Sequence, residues 1–188
     1  MRSRRIVALL SAVACGLALV AVPATRASAA PYCGITWGSL DKSDPAYTGA
    51  LVAGARVGQH DCWDRLVIDL SGVPAPGYSV RYTDGFMDIG GTPRWVSGGA
   101  VLTITVNGPA YNSNGSTVPW ANGQHIISAS QFSAGGWRTF RDLVYGGSYE
   151  GQTRFGLGVR ARLPFRVFKL ENPSNWSSRL VIDVAHQW

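Results

Sequence analysis

Arg179-Leu180-Val181-Ile182-Asp183 repeats, letter for letter, a word already present as Arg65-Leu66-Val67-Ile68-Asp69. Each copy consists largely of aliphatic and β-branched residues with turn formers close by, the composition of a β-strand. In a chain of this composition one shared five-residue word is expected by chance on the order of a few per cent of the time. Two readings stand side by side. One is a good buried strand that arose twice; the other is a domain with two related halves, each giving one such strand to a shared core. Both make the chain a β-protein.

Around the first copy, Trp63 to Leu70 alternates: Leu66, Ile68 and Leu70 point one way, and Arg65, Val67 and Asp69 the other. Ser71-Gly72-Val73-Pro74-Ala75-Pro76-Gly77 ends that strand, because two prolines cannot continue a ladder. Leu51 to Val57 precedes it and Tyr78 to Tyr82 follows. Val101 to Val106 is the cleanest half-buried pattern, with Leu102, Ile104 and Val106 on one face and Val101, Thr103 and Thr105 on the other. Leu143 to Glu150, Arg154 to Arg162, Phe165 to Leu170 and Arg179 to Val184 bring the total to about eight strands. Residues 107–137 are rich in Gly, Ser, Asn and Pro and read as the longest irregular connection, with room for a short helical turn around Ile126 to Phe132. Many short strands separated by Gly and Pro turns predict an all-β sandwich or barrel.

Residues 1–29 read as a secretory signal peptide. Arg2, Arg4 and Arg5 form a basic start, Ile6 to Val22 an uncharged apolar run, and Ala27-Ser28-Ala29 a small-residue cleavage site. Ser3-Arg4-Arg5 leaves a weak twin-arginine route open, and Ala12-Val13-Ala14-Cys15 a poor lipobox. Cleavage removes four of the seventeen basic residues and none of the eleven acids, so the formal charge falls from +6 to about +2. The mature part has no basic run or stripe, which argues against a nucleic-acid partner. Cys33 and Cys62 then remain as a pair in an oxidising compartment, and a bridge between them would staple residues 30–48 as an N-terminal arm. Zinc is the competing reading, but two lone cysteines with His60 lack the close C-x-x-C pairing of a structural site.

The search for chemistry finds no G-x-S-x-G elbow and no H-E-x-x-H; His60, His125 and His186 lie far apart in sequence. Asp69 and Asp183 sit inside strands, which disfavour aspartate, and cross-strand ion pairs (Arg65 with Asp183, Arg179 with Asp69) are the structural account. The surplus is aromatic: Trp37, Trp63, Trp95, Tyr111, Trp120, Trp137 and Trp176 fall in turn-rich segments, where rings either fill a core or stack on sugars and partner proteins.

Phe165-Arg166-Val167-Phe168-Lys169-Leu170-Glu171-Asn172-Pro173 running into Arg179–Asp183 gives F-x-V-x-x-L-x-x-P…R-L-V-I-D, which resembles the AMIN domain. Beyond that motif, the chain is similar to the AMIN-like secreted proteins of actinobacteria. The likeness extends through Cys62-Trp63-Asp64-Arg65-Leu66-Val67-Ile68-Asp69, Pro76-Gly77-Tyr78-Ser79-Val80-Arg81-Tyr82 and Tyr149-Glu150-Gly151 ahead of Gly156-Leu157-Gly158, and covers most of residues 49–186. It implies a sandwich of two small β-sheets with pseudo-twofold halves, and a cell-envelope module of the kind that accompanies peptidoglycan amidases and outer-membrane secretion channels. The chain departs from the pattern in the 107–137 segment, in the cysteine-linked arm and in Ser174-Asn175-Trp176-Ser177 before Arg179, and no catalytic segment is expected after the domain.

The expectation is a secreted, extracellular or wall-associated, non-catalytic AMIN-like domain over residues 49–188 that binds cell-wall glycan, peptidoglycan above all, or an envelope protein. Arg65 and Arg179 suit the carboxylates of peptide stems, and Trp63 and Trp176 suit sugar faces. No cofactor, metal or catalytic residue is expected, and no stable membrane anchor once the signal is cleaved. Two alternatives remain: an extracellular hydrolase using His60 or His186 with a strand aspartate, and an inhibitor or adaptor acting through the 107–137 loop.

Overall fold

The computed structural model describes residues 30–188. Residues 1–29, the segment read as a signal peptide, and Cys15 within it lie outside the described residues. Strands are numbered in chain order, and the two copies of the repeated word turn out to pair with each other. β14 (Ser177–Ala185) runs antiparallel to β3 (Trp63–Ser71), with Arg65 opposite Asp183, Val67 opposite Val181 and Asp69 opposite Arg179. The word is its own complement: reversed, it sets arginine against aspartate at both ends and valine against valine in the middle. β2 (Leu51–Gln59) flanks β3 and β13 (Phe165–Asn172) flanks β14, so the sheet order β13-β14-β3-β2 is two hairpins back to back about the Val67–Val181 pair.

The second sheet has six strands in the order β1-β4-β7-β12-β11-β10. They are β1 (Lys42–Asp44), β4 (Tyr78–Thr83), β7 (Ala100–Val106), β10 (His125–Ile127), β11 (Phe140–Tyr149) and β12 (Gln152–Val159). Two small hairpins complete the strands: β5 (Phe86–Met87) with β6 (Pro93–Arg94), and β8 (Tyr111–Asn112) with β9 (Gly115–Ser116). The sheets face each other across one core, so the chain is an all-β sandwich. Leu66, Ile68, Leu180, Ile182 and Val184 from the four-stranded sheet meet Leu102, Ile104, Val106, Phe155 and Leu157 from the six-stranded one, each no more than 1% exposed. Full burial of such side chains contributes about 1.5–3 kcal/mol each. The alternation read in the sequence for β3 and β7 is the alternation observed.

Residues 107–137 are more regular than their composition indicates. They hold β8, β9, β10 and the helix α1 (Ala129–Ala134). The helix starts where the Gln131 side chain accepts the Ser128 N–H at 2.9 Å, half of a capping box that lets so short a helix begin. Phe132 anchors it, fully buried, with its ring 5.2 Å from Trp137 and 6.0 Å from Phe140.

The arm is fastened at several points. Cys33 and Cys62 form a disulfide with a sequence separation of 29, worth about 3.5 kcal/mol as loop-closure entropy. β1 extends the six-stranded sheet at its edge, and the Lys169 ammonium donates to Asp44 at 2.7 Å, tying β13 to β1. On the outer side of the six-stranded sheet, the β5–β6 hairpin lays the Phe86 ring flat across β11 and β12. It fits because Gly146 and Gly156 lie beneath: a Cβ there would stand 2.6 and 2.7 Å from the ring.

Tyr82 closes the sandwich near the β4 end. Its hydroxyl donates to the Leu163 carbonyl at 2.8 Å and accepts the Leu163 N–H at 2.9 Å. Burial pushes its pKa up to about 12, against a smaller opposing effect of the hydrogen bond to Leu163. A folded pKa raised above the unfolded one, about 10, means that this contribution is complete below pH ~10 and is lost as pH rises toward 12. Urea melts at pH 8 and pH 11 check the sign: Tyr82→Phe is expected to be less stable at pH 8 by about 1–3 kcal/mol and to lose less between the two pH values than the parent.

Candidate functional site

The alternation that buries Leu66 and Ile182 turns Arg65 and Asp183 outward, and the register then lines them up. Gly58, Arg65, Asp183 and Arg166 form one row across β2, β3, β14 and β13. Arg65 donates from Nε and NH2 to the two oxygens of Asp183 at 2.6 and 2.8 Å, and Arg166 Nε adds a third bond at 2.8 Å. Hydrogen bonding to Asp183 raises the Arg65 pKa further. Two guanidinium groups therefore share one carboxylate that is 0% exposed, leaving the row one positive charge in excess.

Aromatic rings wall this row in. Arg166 lies over Trp37 at 4.4 Å and over Trp63 and Phe168 at 5.2 Å, and Arg65 lies over Phe168 at 5.6 Å. Trp37 comes from the disulfide-tethered arm and meets Trp63 edge-on with ring centres 5.7 Å apart; His60 stacks on Trp63 at 5.2 Å. Guanidinium over indole is an attractive geometry that also holds the flat group ready for a planar anion. Trp63 Nε1 is buried without a hydrogen-bond partner.

The other candidate residues sit apart from this row. Arg179 stands opposite Asp69 in register, but the expected pair is replaced: Asp69 takes a two-pronged bond from Arg56, at 2.9 and 3.0 Å. The residue flanking Asp69 on β2 is Gly54, which has no side chain, so Arg56 reaches across to the carboxylate. Of the two cross-strand pairs expected, Arg65–Asp183 forms and Arg179–Asp69 does not. Arg179 is in no ion pair among the described residues. Trp176, 66% exposed, caps the turn before β14 in a left-handed conformation with φ 52°. The face thus gathers Trp63 and Arg65 with Trp37, Arg166 and Phe168 at one end, and places Arg179 and Trp176 toward the other. Arg166 and Phe168, not singled out in the sequence, share the outward face of β13, and Trp37, one of the surplus aromatics, is brought to them by the arm.

His60 and His186 do converge, in a cavity of about 240 Å³ that Gln59, Asp61, Asp64 and Arg138 help to line. The strand aspartate beside His186 is Asp64, neither Asp69 nor Asp183. His186 Nε2 lies 3.0 Å from Asp64 Oδ1 and Nδ1 lies 3.2 Å from the Asp61 carbonyl. Asp64 Oδ2 also accepts the Thr139 and Phe140 N–H groups at 2.7 and 2.9 Å. Both ring nitrogens are turned to acceptors inside the fold, so neither is directed at a substrate proton as a general base must be, and the lining offers no hydroxyl or thiol. His125 is elsewhere, 2.8 Å from buried Asp142. Among the described residues no group of three or more His, Cys, Asp and Glu side chains is placed to hold a metal ion, and no helix is long and apolar enough to cross a membrane.

Comparison with known families gives one match: the family model described as the AMIN-like domain fits residues 50–186. No curated protein and no solved structure matches the chain.

Proposed function

This chain belongs to the AMIN-like domain family, and from that premise we propose that it is a binding module that holds peptidoglycan on the outer face of its four-stranded sheet. AMIN-like membership points to the cell envelope or the extracellular space, and the Cys33–Cys62 disulfide agrees with an oxidising compartment. The observation that carries the reading is the Arg65–Asp183–Arg166 row walled by Trp37, Trp63 and Phe168. Its excess guanidinium charge suits the carboxylates of stem peptides, and the adjoining indoles suit the apolar faces of the sugars that bear them. Arg179 and Trp176 extend the same face and supply a second point of contact along a strand of wall polymer.

Co-sedimentation of residues 30–188 with purified peptidoglycan tests this. Arg179→Ala is the informative variant because Arg179 is in no ion pair among the described residues, so its loss leaves the fold in place. Retention of the parent is expected to fall at least several-fold in Arg179→Ala and about tenfold when Arg166→Met is added, a loss of ~1.4 kcal/mol. Retention that is absent in the parent, or unchanged in the double variant, contradicts the proposal.

A further inference from the structure

The opposite side of the molecule holds a second cluster that the reading above does not use. On the outer face of the six-stranded sheet, Ser79, Thr105 and Arg154 form one row across β4, β7 and β12, and Arg81 and Thr103 stand opposite each other one step along. Arg81 and Arg154 start two strand spacings and two residues apart, about 12 Å on the diagonal, with the β7 threonines between them. They wall a pocket of about 120 Å³ together with Ser79, Thr83, Thr103 and Thr105. Every side chain named there donates hydrogen bonds.

Two observations mark this pocket as built to receive something. Arg154 lines the pocket with its guanidinium held in place, because one terminal N–H donates to the Asp88 carbonyl at 3.0 Å. Arg81, in turn, is exposed and in no ion pair among the described residues. The one nearby carboxylate that is buried, Asp88, is already neutralised by Arg94 at 2.8 Å and by the Gly90 and Thr92 N–H groups. The pocket is a concavity whose lining carries net positive charge.

It does not stand alone. Thr83 and Gly85 line it and also line a larger cleft of about 480 Å³, a size typical of small-ligand sites. That cleft is walled by Trp95, which is 80% exposed, by Asp84, and by Arg162 lying 5.1 Å over the Tyr82 ring. An exposed indole beside a carboxylate and a guanidinium matches the apolar face and the hydroxyl edge of a sugar ring. We infer that the outer face of the six-stranded sheet is a separate site for an anionic saccharide: the charged substituent enters the Arg81–Arg154 pocket and the ring lies along Trp95. The substituent's chemistry, a carboxylate or a phosphate, is what the two guanidinium groups share in recognising.

The test compares ligands with one ring and different charge. Glucose, glucuronate, glucose 6-phosphate and inorganic phosphate are titrated into ¹⁵N-labelled residues 30–188, and amide and indole shifts are followed. Glucuronate and glucose 6-phosphate are expected to bind at least tenfold tighter than glucose; which of the two is tighter identifies the substituent. Inorganic phosphate is expected to bind more weakly than glucose 6-phosphate, and Trp95→Ala to abolish that difference. Arg81→Gln is expected to weaken both anionic sugars about tenfold; because Arg81 has no ion-pair partner, this variant keeps the fold even if Arg154→Gln loosens the β5–β6 hairpin. Arg166→Met, on the other sheet, is expected to change none of these affinities, so the site stands or falls independently of wall binding. Equal binding of glucose and the anionic sugars, no effect of Arg81→Gln, or no effect of Trp95→Ala each overturns the inference.

Discussion

Asp183→Leu is expected to destabilise the domain by about 3–5 kcal/mol, the usual effect of removing one partner from a buried ion pair. Asp183 is 0% exposed and accepts three guanidinium hydrogen bonds from Arg65 and Arg166. Without it two like charges face each other in a wall of aromatic rings. At roughly 2–4 °C per kcal/mol for a domain of this size, the midpoint of a thermal melt falls by about 10 °C. The triple variant Arg65→Met/Arg166→Met/Asp183→Leu separates charge from packing. With no guanidinium left unpaired and a similar volume of apolar side chain in place, it is expected to be more stable than Asp183→Leu alone. Peptidoglycan retention is expected to be lost in both. A triple variant no more stable than the single one contradicts the view that the aspartate serves to neutralise the arginines.

His186→Ala is the second large effect, again about 3–5 kcal/mol, and it arises from position rather than from chemistry. The imidazole, 2% exposed, joins Asp64 on β3 to the Asp61 carbonyl next to the disulfide. Asp64 meanwhile caps the start of β11 through the N–H groups of Thr139 and Phe140. Three separate segments of chain meet at this carboxylate, and alanine at 186 leaves it half-satisfied and buried. Asp64→Asn keeps the shape and removes the charge; urea denaturation is expected to place it between the parent and His186→Ala, because its side-chain oxygen still accepts from the backbone.

Much of the fold was legible because strand alternation is a local property. Leu66, Ile68 and Leu70 had to share a face wherever β3 went, and the same held for Leu102, Ile104 and Val106. The pairing of the two repeated words was legible in part, since ion pairs of Arg65 with Asp183 and of Arg179 with Asp69 require the antiparallel register observed. It follows from register, and register is fixed by both faces of two strands more than a hundred residues apart. The misplaced ion pair has the same origin: Asp69 and Arg179 are opposite in register, as the repeat implied, but a glycine on the neighbouring strand lets Arg56 reach Asp69 first. Local reading left room for a short helical turn around Ile126 to Phe132, where α1 forms, but underrated the rest of residues 107–137, which hold three short strands. The arm was legible through Cys33 and Cys62, yet its delivery of Trp37 onto Arg166 depends on the tertiary path of a segment with no periodicity of its own.

The claim that the face around Asp183 recognises wall stem peptides is tested most directly by a sugar-free stem tetrapeptide titrated into ¹⁵N-labelled residues 30–188. The indole N–H signals of Trp37 and Trp63 and the side-chain signals of Arg65 and Arg166 are expected to shift together with one dissociation constant. Shifts confined to residues 107–137 or to the outer face of the six-stranded sheet, with those four unmoved, contradict it.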